Sequence, residues 1–291
     1  MQARRHQPDD AKMTINSLDY FASLVRDDAS MPLFEAALSL GLDIEPGLDL
    51  AQPQIELDTL AVKLQQRLPA DASVVQKLRL LNHFFYRELG FCGNANDYYH
   101  PDNSYLHRVI STRRGIPISL AMVYIELAQQ IGLQIRGVSF PGHFLMRLSV
   151  QSGDIILDPF NGSSLSRDEL EERLEPFIAP RPHGVEPPLS SYLQPAPARD
   201  ILVRMLGNLK AVYVEQREWK RLLAVQERLV ILLPGNITER RDRGLAYARL
   251  ECPQAALVDI ERYLAQRPYA ADAETLRRKL PEWRDAAKRL N

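Results

Sequence analysis

The chain has 291 residues, about twice the length of an ordinary domain, with 45% hydrophobic and 25% charged residues. That composition belongs to a folded globular protein and excludes the disordered, collagen-like and disulfide-scaffold classes. Thirty-six Lys and Arg against 37 Asp and Glu leave a formal charge of -1, so no net field favours nucleic acid or anionic lipid, and neither is expected as a partner.

Residues 1–12 are polar, without the apolar stretch of a secretory leader, and read as a frayed tail. Apolar residues then recur at helical spacing in Leu18, Phe21, Leu24, Val25 and again in Leu60, Ala61, Leu64, Leu68. Asp58 and Asp71 stand where helix N-caps are expected. A third helical stretch, 74–89, ends at Gly90, a fitting C-cap. The segment 91–104 is rich in turn formers and aromatics, which suits an ordered surface loop. Pro117 is placed to open a helix reaching about 131. Its most apolar part, 116–127, carries Glu126 and is far short of a membrane span, so no membrane association is expected.

After this helix the period changes to two. Residues 134–140, 144–150 and 154–158 read as three short strands, the last two joined by the turn formers Gln151, Ser152 and Gly153. Seven of the 20 prolines then fall within 176–197, the composition of an extended connector. From 198 the chain is helical with an internal period: Tyr213 and Tyr247, like Pro234 and Pro268, are 34 apart. Gly244, Tyr247, Ala256 and Pro268 sit at tetratricopeptide-repeat spacings, whereas Lys210 and Leu222 replace the glycine and alanine of the first unit. A last helix, 271–290, is expected to break at Pro281. Fewer than three full repeats are seldom stable alone, so the tail is expected to dock on the preceding domain. The layout is therefore a tail 1–12, an α+β domain 13–175, a connector 176–197 and all-α repeats 198–291.

From Gly115 to Asp158 the chain presents a helix N-terminus, a histidine and an aspartate in that order, the skeleton of a papain-like site. If the last two strands form a hairpin without a bulge, Asp158 shares a face with His143 whenever paired residue numbers sum to an odd value. A sum of 301 sets them directly opposite; a sum of 303 makes them diagonal neighbours within side-chain reach.

The stretches RRGIPISLAMVYIELAQQIGL, GVSFPGHFLMRL and ILDPFNG resemble the bacterial SirB-type regulator family, which has a transglutaminase-like core and a tetratricopeptide-like tail. The resemblance puts His143 and Asp158 at the second and third positions of the family's catalytic triad. It also implies a Gly-x-Cys frame with Ala four residues after the cysteine. Gly115, Ile116 and Ala121 fit that frame, and Pro117 stands in place of the cysteine.

Pro117 offers no nucleophile. The replacements within reach of the sequence are Ser119, two residues on, and Cys92 from the preceding loop. Each also has a plain structural reading: Ser119 as an early-helix residue satisfying nearby backbone, Cys92 as a small packed residue, and His143 with Asp158 as a buried hydrogen bond. Arg113 and Arg114 precede a helix N-terminus that disfavours cations, so their charge is used or solvated elsewhere. His100, Asp102 and His107 lack metal-ligand spacing, and Cys92 and Cys252 form no Cys-x-x-Cys. No metal or other cofactor is expected, and a reducing cytoplasm is the natural setting.

Two functions remain. One is a non-catalytic regulatory or interaction module in which the degenerate cleft and the repeats bind a protein or peptide. The other is a hydrolase or acyltransferase acting on peptide or amide bonds through Ser119, His143 and Asp158.

Overall fold

The computed structural model describes residues 16–178 and 187–290. The expected tail, 1–12, and residues 179–186 of the expected connector lie outside them. The chain runs through α1 (Ser17–Leu24), α2 (Leu33–Ser39), α3 (Ala51–Gln65), α4 (Val74–His83), β1 (Cys92–Gly93), α5 (Leu106–Thr112), β2 (Arg114–Gly115) and α6 (Pro117–Gln130). Three strands follow, β3 (Ile135–Val138), β4 (Leu145–Val150) and β5 (Gly153–Leu157), then α7 (Arg167–Leu174) and the single turn α8 (Leu189–Tyr192). The tail is α9 (Ala198–Glu215), α10 (Trp219–Leu232), α11 (Ile237–Arg249), α12 (Pro253–Gln266) and α13 (Ala273–Arg289). This is the expected α+β body followed by helical repeats.

Neither expected aspartate is an N-cap. Helix α3 starts a full turn and more before Asp58, where Asp49 accepts from the Ala51 N–H at 2.9 Å, while Asp58 takes the side-chain amides of Gln54 and Gln130. Pro53 sits in that first turn, where its missing N–H costs nothing. Helix α4 is capped by Ser73, not Asp71, in a reciprocal capping box with Gln76. It ends in one π turn, Phe84–Glu88, and reverses at Gly90, whose φ of 73° favours glycine.

Helix α6 begins at Pro117 and is buried along most of its length, so it forms the central element of the body. The three-stranded sheet packs beside it in the order β3-β4-β5, antiparallel throughout. Pairs such as Met146 with Leu157 and Val150 with Gly153 set the β4–β5 register at a sum of 303. Alternation then divides the sheet's two faces. Met146, Leu148 and Leu157 join the main core, while Leu145 and Ile156 meet Leu165, Leu170 and Leu174 around α7 in a smaller cluster. A two-residue parallel ladder, β1 with β2, ties the 91–104 loop to the foot of α6.

The repeats do not stand apart from the body. Ile201, Leu202, Met205, Leu206, Leu209 and Tyr213 of α9 belong to the same core as Phe21, Leu106 and Tyr124, and α10 adds Leu222, Val225, Leu229 and Leu232. Polar groups reinforce this seam: Tyr105 and Tyr213 share a buried hydroxyl–hydroxyl bond of 2.7 Å, and the buried Arg228 donates to Asp43 at 2.5 Å and to Ser17. Beyond it, α11 to α13 close their own cluster of Ile237, Ile260, Tyr263, Leu264, Ala273 and Leu276. Tyr213 and Ala256 are fully buried, as the repeat pattern predicts. Tyr247 is only half-buried and turns its hydroxyl to Glu227 at 3.0 Å. Helix α13 does not break at Pro281. The proline sits on the exposed face, where water can take the carbonyl it leaves unpaired.

Candidate functional site

The foot of α6 is built around Gly115, Pro117 and Ser119. Ser119 is fully buried, and its Oγ lies 2.5 Å from the Asn103 carbonyl and 3.0 Å from the Ile116 carbonyl while accepting the Ile116 N–H at 3.1 Å. A Cβ on Gly115 would stand 2.7 Å from that oxygen, so glycine there is the condition for the serine's position. Asn103 is itself buried and donates to the carbonyls of Asp97 and Tyr98. The hydroxyl thus stitches the 91–104 loop to the helix, and none of its hydrogen bonds reaches His143.

His143 and Asp158 do meet, with Nε2 2.9 Å from Oδ1. The 303 register, extended one pair past the ladder, sets Asp158 across from Leu145 and makes His143 its diagonal neighbour. His143 itself lies in the turn Phe140–Pro141–Gly142–His143 ahead of β4, outside the ladder. Its side chain is 24% exposed and that of Asp158 only 7%. With Nε2 donating to the carboxylate, Nδ1 is the acceptor, and it makes no hydrogen bond among the described residues.

Asp158 has further partners that sequence reasoning missed. Arg173 of α7 donates to Oδ2 at 2.8 Å, and the Phe160 N–H donates to Oδ1 at 2.9 Å. Burial alone would raise this carboxyl's pKa. The hydrogen bonds from His143 and Arg173, the charge that the His143 ring carries when protonated and the Phe160 N–H outweigh it and hold the pKa at about 2. The loop after Asp158 is pinned by Tyr86 on the Pro159 carbonyl and Asn82 on the Gly162 carbonyl, both at 2.9 Å. Arg204 of α9 reaches the site from the tail, donating to the carbonyls of Phe140 and His143 at 3.0 and 2.8 Å. A small cavity of about 110 Å³ lies beside Ile116, between the loop residues Tyr98, Tyr99 and Ser104 and the α9 residues Asn208, Ala211 and Val212.

Cys92 is partly exposed on β1, paired with Arg114, and its neighbour Gly93 faces Phe160, which would collide with any Cβ there. The flanking cations are engaged: Arg113 pairs with Glu56 at 2.6 Å and lies over the Phe91 ring, and Arg114 donates to the Gly90 carbonyl. His100 accepts the Asp102 N–H, whereas His107 is buried against Glu45 on the other side of the loop. Among the described residues no helix is long and apolar enough to cross a membrane.

A family model described as transglutaminase-like superfamily matches residues 51–207, and one described as tetratricopeptide repeat matches 209–281. A UPF0162 protein of Xylella fastidiosa is 39% identical over 260 residues, covering 86% of this chain and 89% of the relative. A UPF0162 protein of Vibrio cholerae is 30% identical over 86% of this chain and 92% of its own. Protein SirB1 of Salmonella typhimurium is 30% identical over 223 residues, 76% of this chain and 81% of its own. No solved structure matches. The chain therefore belongs to the transglutaminase-like superfamily, within the group that includes SirB1 and the UPF0162 proteins.

Proposed function

We propose that this protein is a transglutaminase-like regulatory module of the cytoplasm that binds a polypeptide and does not turn it over. The observation that carries the reading is the state of the triad's nucleophile position and of Ser119, the candidate two residues beyond it. Pro117 has no nucleophilic atom, and the Ser119 oxygen is occupied by the backbone of Asn103 and Ile116. Loss of the nucleophile removes several powers of ten in rate from a covalent mechanism, but leaves the other groups free to bind. His143 Nδ1 can accept a peptide N–H, with Nε2 fixed by Asp158 and Asp158 fixed by Arg173. The free cysteines Cys92 and Cys252 are consistent with a reducing compartment.

The test is a panel of fluorescent unstructured peptides titrated against the protein, with serine- and cysteine-directed activity probes run in parallel. Peptide binding weakened by His143→Ala, with neither Ser119 nor Cys92 labelled, supports the reading. Turnover of any amide or ester that vanishes in both Ser119→Ala and His143→Ala, with circular dichroism unchanged, overturns it in favour of a Ser119–His143–Asp158 hydrolase.

A further inference from the structure

His143 is fixed on one side by Asp158, but its backbone lies in a turn that the sheet does not hold. The four residues Phe140 to His143 close with one bond, His143 N–H to the Phe140 carbonyl at 3.1 Å. Proline in the second place and Gly142 at φ 68° in the third are the marks of a type II turn. Both outer carbonyls of that turn, Phe140 and His143, accept from a single guanidinium, Arg204 of α9. The same guanidinium lies over the ring of Phe144, 5.7 Å from its centroid, just ahead of β4.

Arg204 is in turn held by a helix with fixed footing. Ala196, just before α9, donates its N–H to the Gly137 carbonyl of β3 at 2.8 Å. Ile201 stands so close that a Cβ on Gly137 would meet its Cδ1 at 3.3 Å. Arg199 anchors the first turn to the carbonyls of Val25 and Leu232 and to Asp28. We propose that Arg204 is the positioning residue of His143, so that the cleft of the α+β body is complete only when the first helix of the repeat tail is seated on it. A planar guanidinium holds its donors in a fixed fork toward both carbonyls, whereas a lysine ammonium is a compact point charge on a flexible stem that fixes their geometry less well. The consequence for function rests on the reading of His143 as the group that meets the peptide.

The experiment observes His143 directly, with no peptide present. In the full chain labelled with nitrogen-15 histidine, the Nε2–H held by Asp158 is expected as an exchange-protected imidazole signal, assigned by its absence in His143→Gln. In Arg204→Ala that proton is expected to exchange at least about tenfold faster, the worth of one charge-assisted hydrogen bond. Arg204→Lys should fall between. Asp43→Ala, which breaks the ion pair with Arg228 of α10 and leaves the footing of α9 untouched, is the control for general destabilisation: it should lower the melting temperature and leave the signal intact. Retention of full protection in Arg204→Ala overturns the proposal, and so does equal loss of it in Asp43→Ala. If Arg204→Ala does not fold, Arg204→Gln, which keeps one donor, is judged by the same two criteria. Survival or loss of the signal judges Arg204 alone, while the peptide titration judges the binding reading alone.

Discussion

The two halves of the repeat tail look alike in sequence period and differ in what they are built on. Helices α9 and α10 bury their apolar faces in the core that also holds Phe21, Leu106 and Tyr124, and they add a buried ion pair and a buried tyrosine pair to that seam. Helices α11 to α13 close a small core of their own and lean on ion pairs, among them Arg243 with Asp259 at 2.6 Å and Arg241 with Asp272 at 2.9 Å. A repeat, then, records the shape of neighbouring helices and not the borders of cooperative units. Here the inner half belongs energetically to the α+β body, and the outer half is an extension of it.

The largest expected effect tests that division. Expressed alone, residues 198–291 lose every apolar contact that α9 makes with the body, so the fragment should be only partly helical and melt without cooperativity by circular dichroism. A sharp transition would show that the repeats form one unit after all. The next effect comes from Arg228, which is 1% exposed. Asp43→Ala leaves its guanidinium buried without its hydrogen-bonded counter-charge, at a cost of about 3–5 kcal/mol in denaturant unfolding of the whole chain. Arg199 with Asp28 is the contrast, because Asp28 is 67% exposed; Asp28→Ala should cost less than about 1 kcal/mol.

Acid gives a third separation, because the cleft holds a carboxylate with a lowered pKa. Asp158 titrates at about 2 in the folded chain against an ordinary 3.8. The folded state therefore resists protonation, and the resulting stability is fully present above about pH 4 and is lost as the pH falls toward 2. At about 1.4 kcal/mol per unit, that is on the order of 2 kcal/mol. In Asp158→Asn the stability curve should flatten over that window. An unchanged slope would mean that the bonds from His143 and Arg173 do not persist in solution.

The body's elements were legible where local chemistry decides them. Pro117 opens α6, Gly90 ends the turn after α4, and alternation with Gly153 marks three strands, whereas the register that brings Asp158 to His143 is set only by the pairing in the fold, at a sum of 303. The caps of α3 and α4 were misplaced because Asp49 and Ser73 compete with Asp58 and Asp71, and only the true helix start decides among such residues. Arg173 and Arg204 were invisible for a different reason. Each lies on a helix whose charge pattern reads as a solvated face, and each reaches the site from 15 to 61 residues away. Tyr247 followed the repeat spacing but not the repeat's burial, since Glu227 draws its hydroxyl outward.

The smallest effect is also the most specific to the seam. Tyr105 and Tyr213 are both essentially buried, one from the 91–104 loop's end and one from α9, and their hydroxyls are 2.7 Å apart. Burial pushes both phenols above their ordinary pKa, so the pair is neutral and the bond is a plain one between hydroxyls. Removing one hydroxyl strands the other without water, which costs about 1–3 kcal/mol; removing both exchanges a hydrogen bond for a ring contact and is nearly neutral. Tyr105→Phe and Tyr213→Phe should therefore each lower stability by about 1–2 kcal/mol, and the double variant should recover most of that loss. Additive losses in urea unfolding would mean that water reaches the seam, and the inner repeat would then be docked on the body and not fused with it.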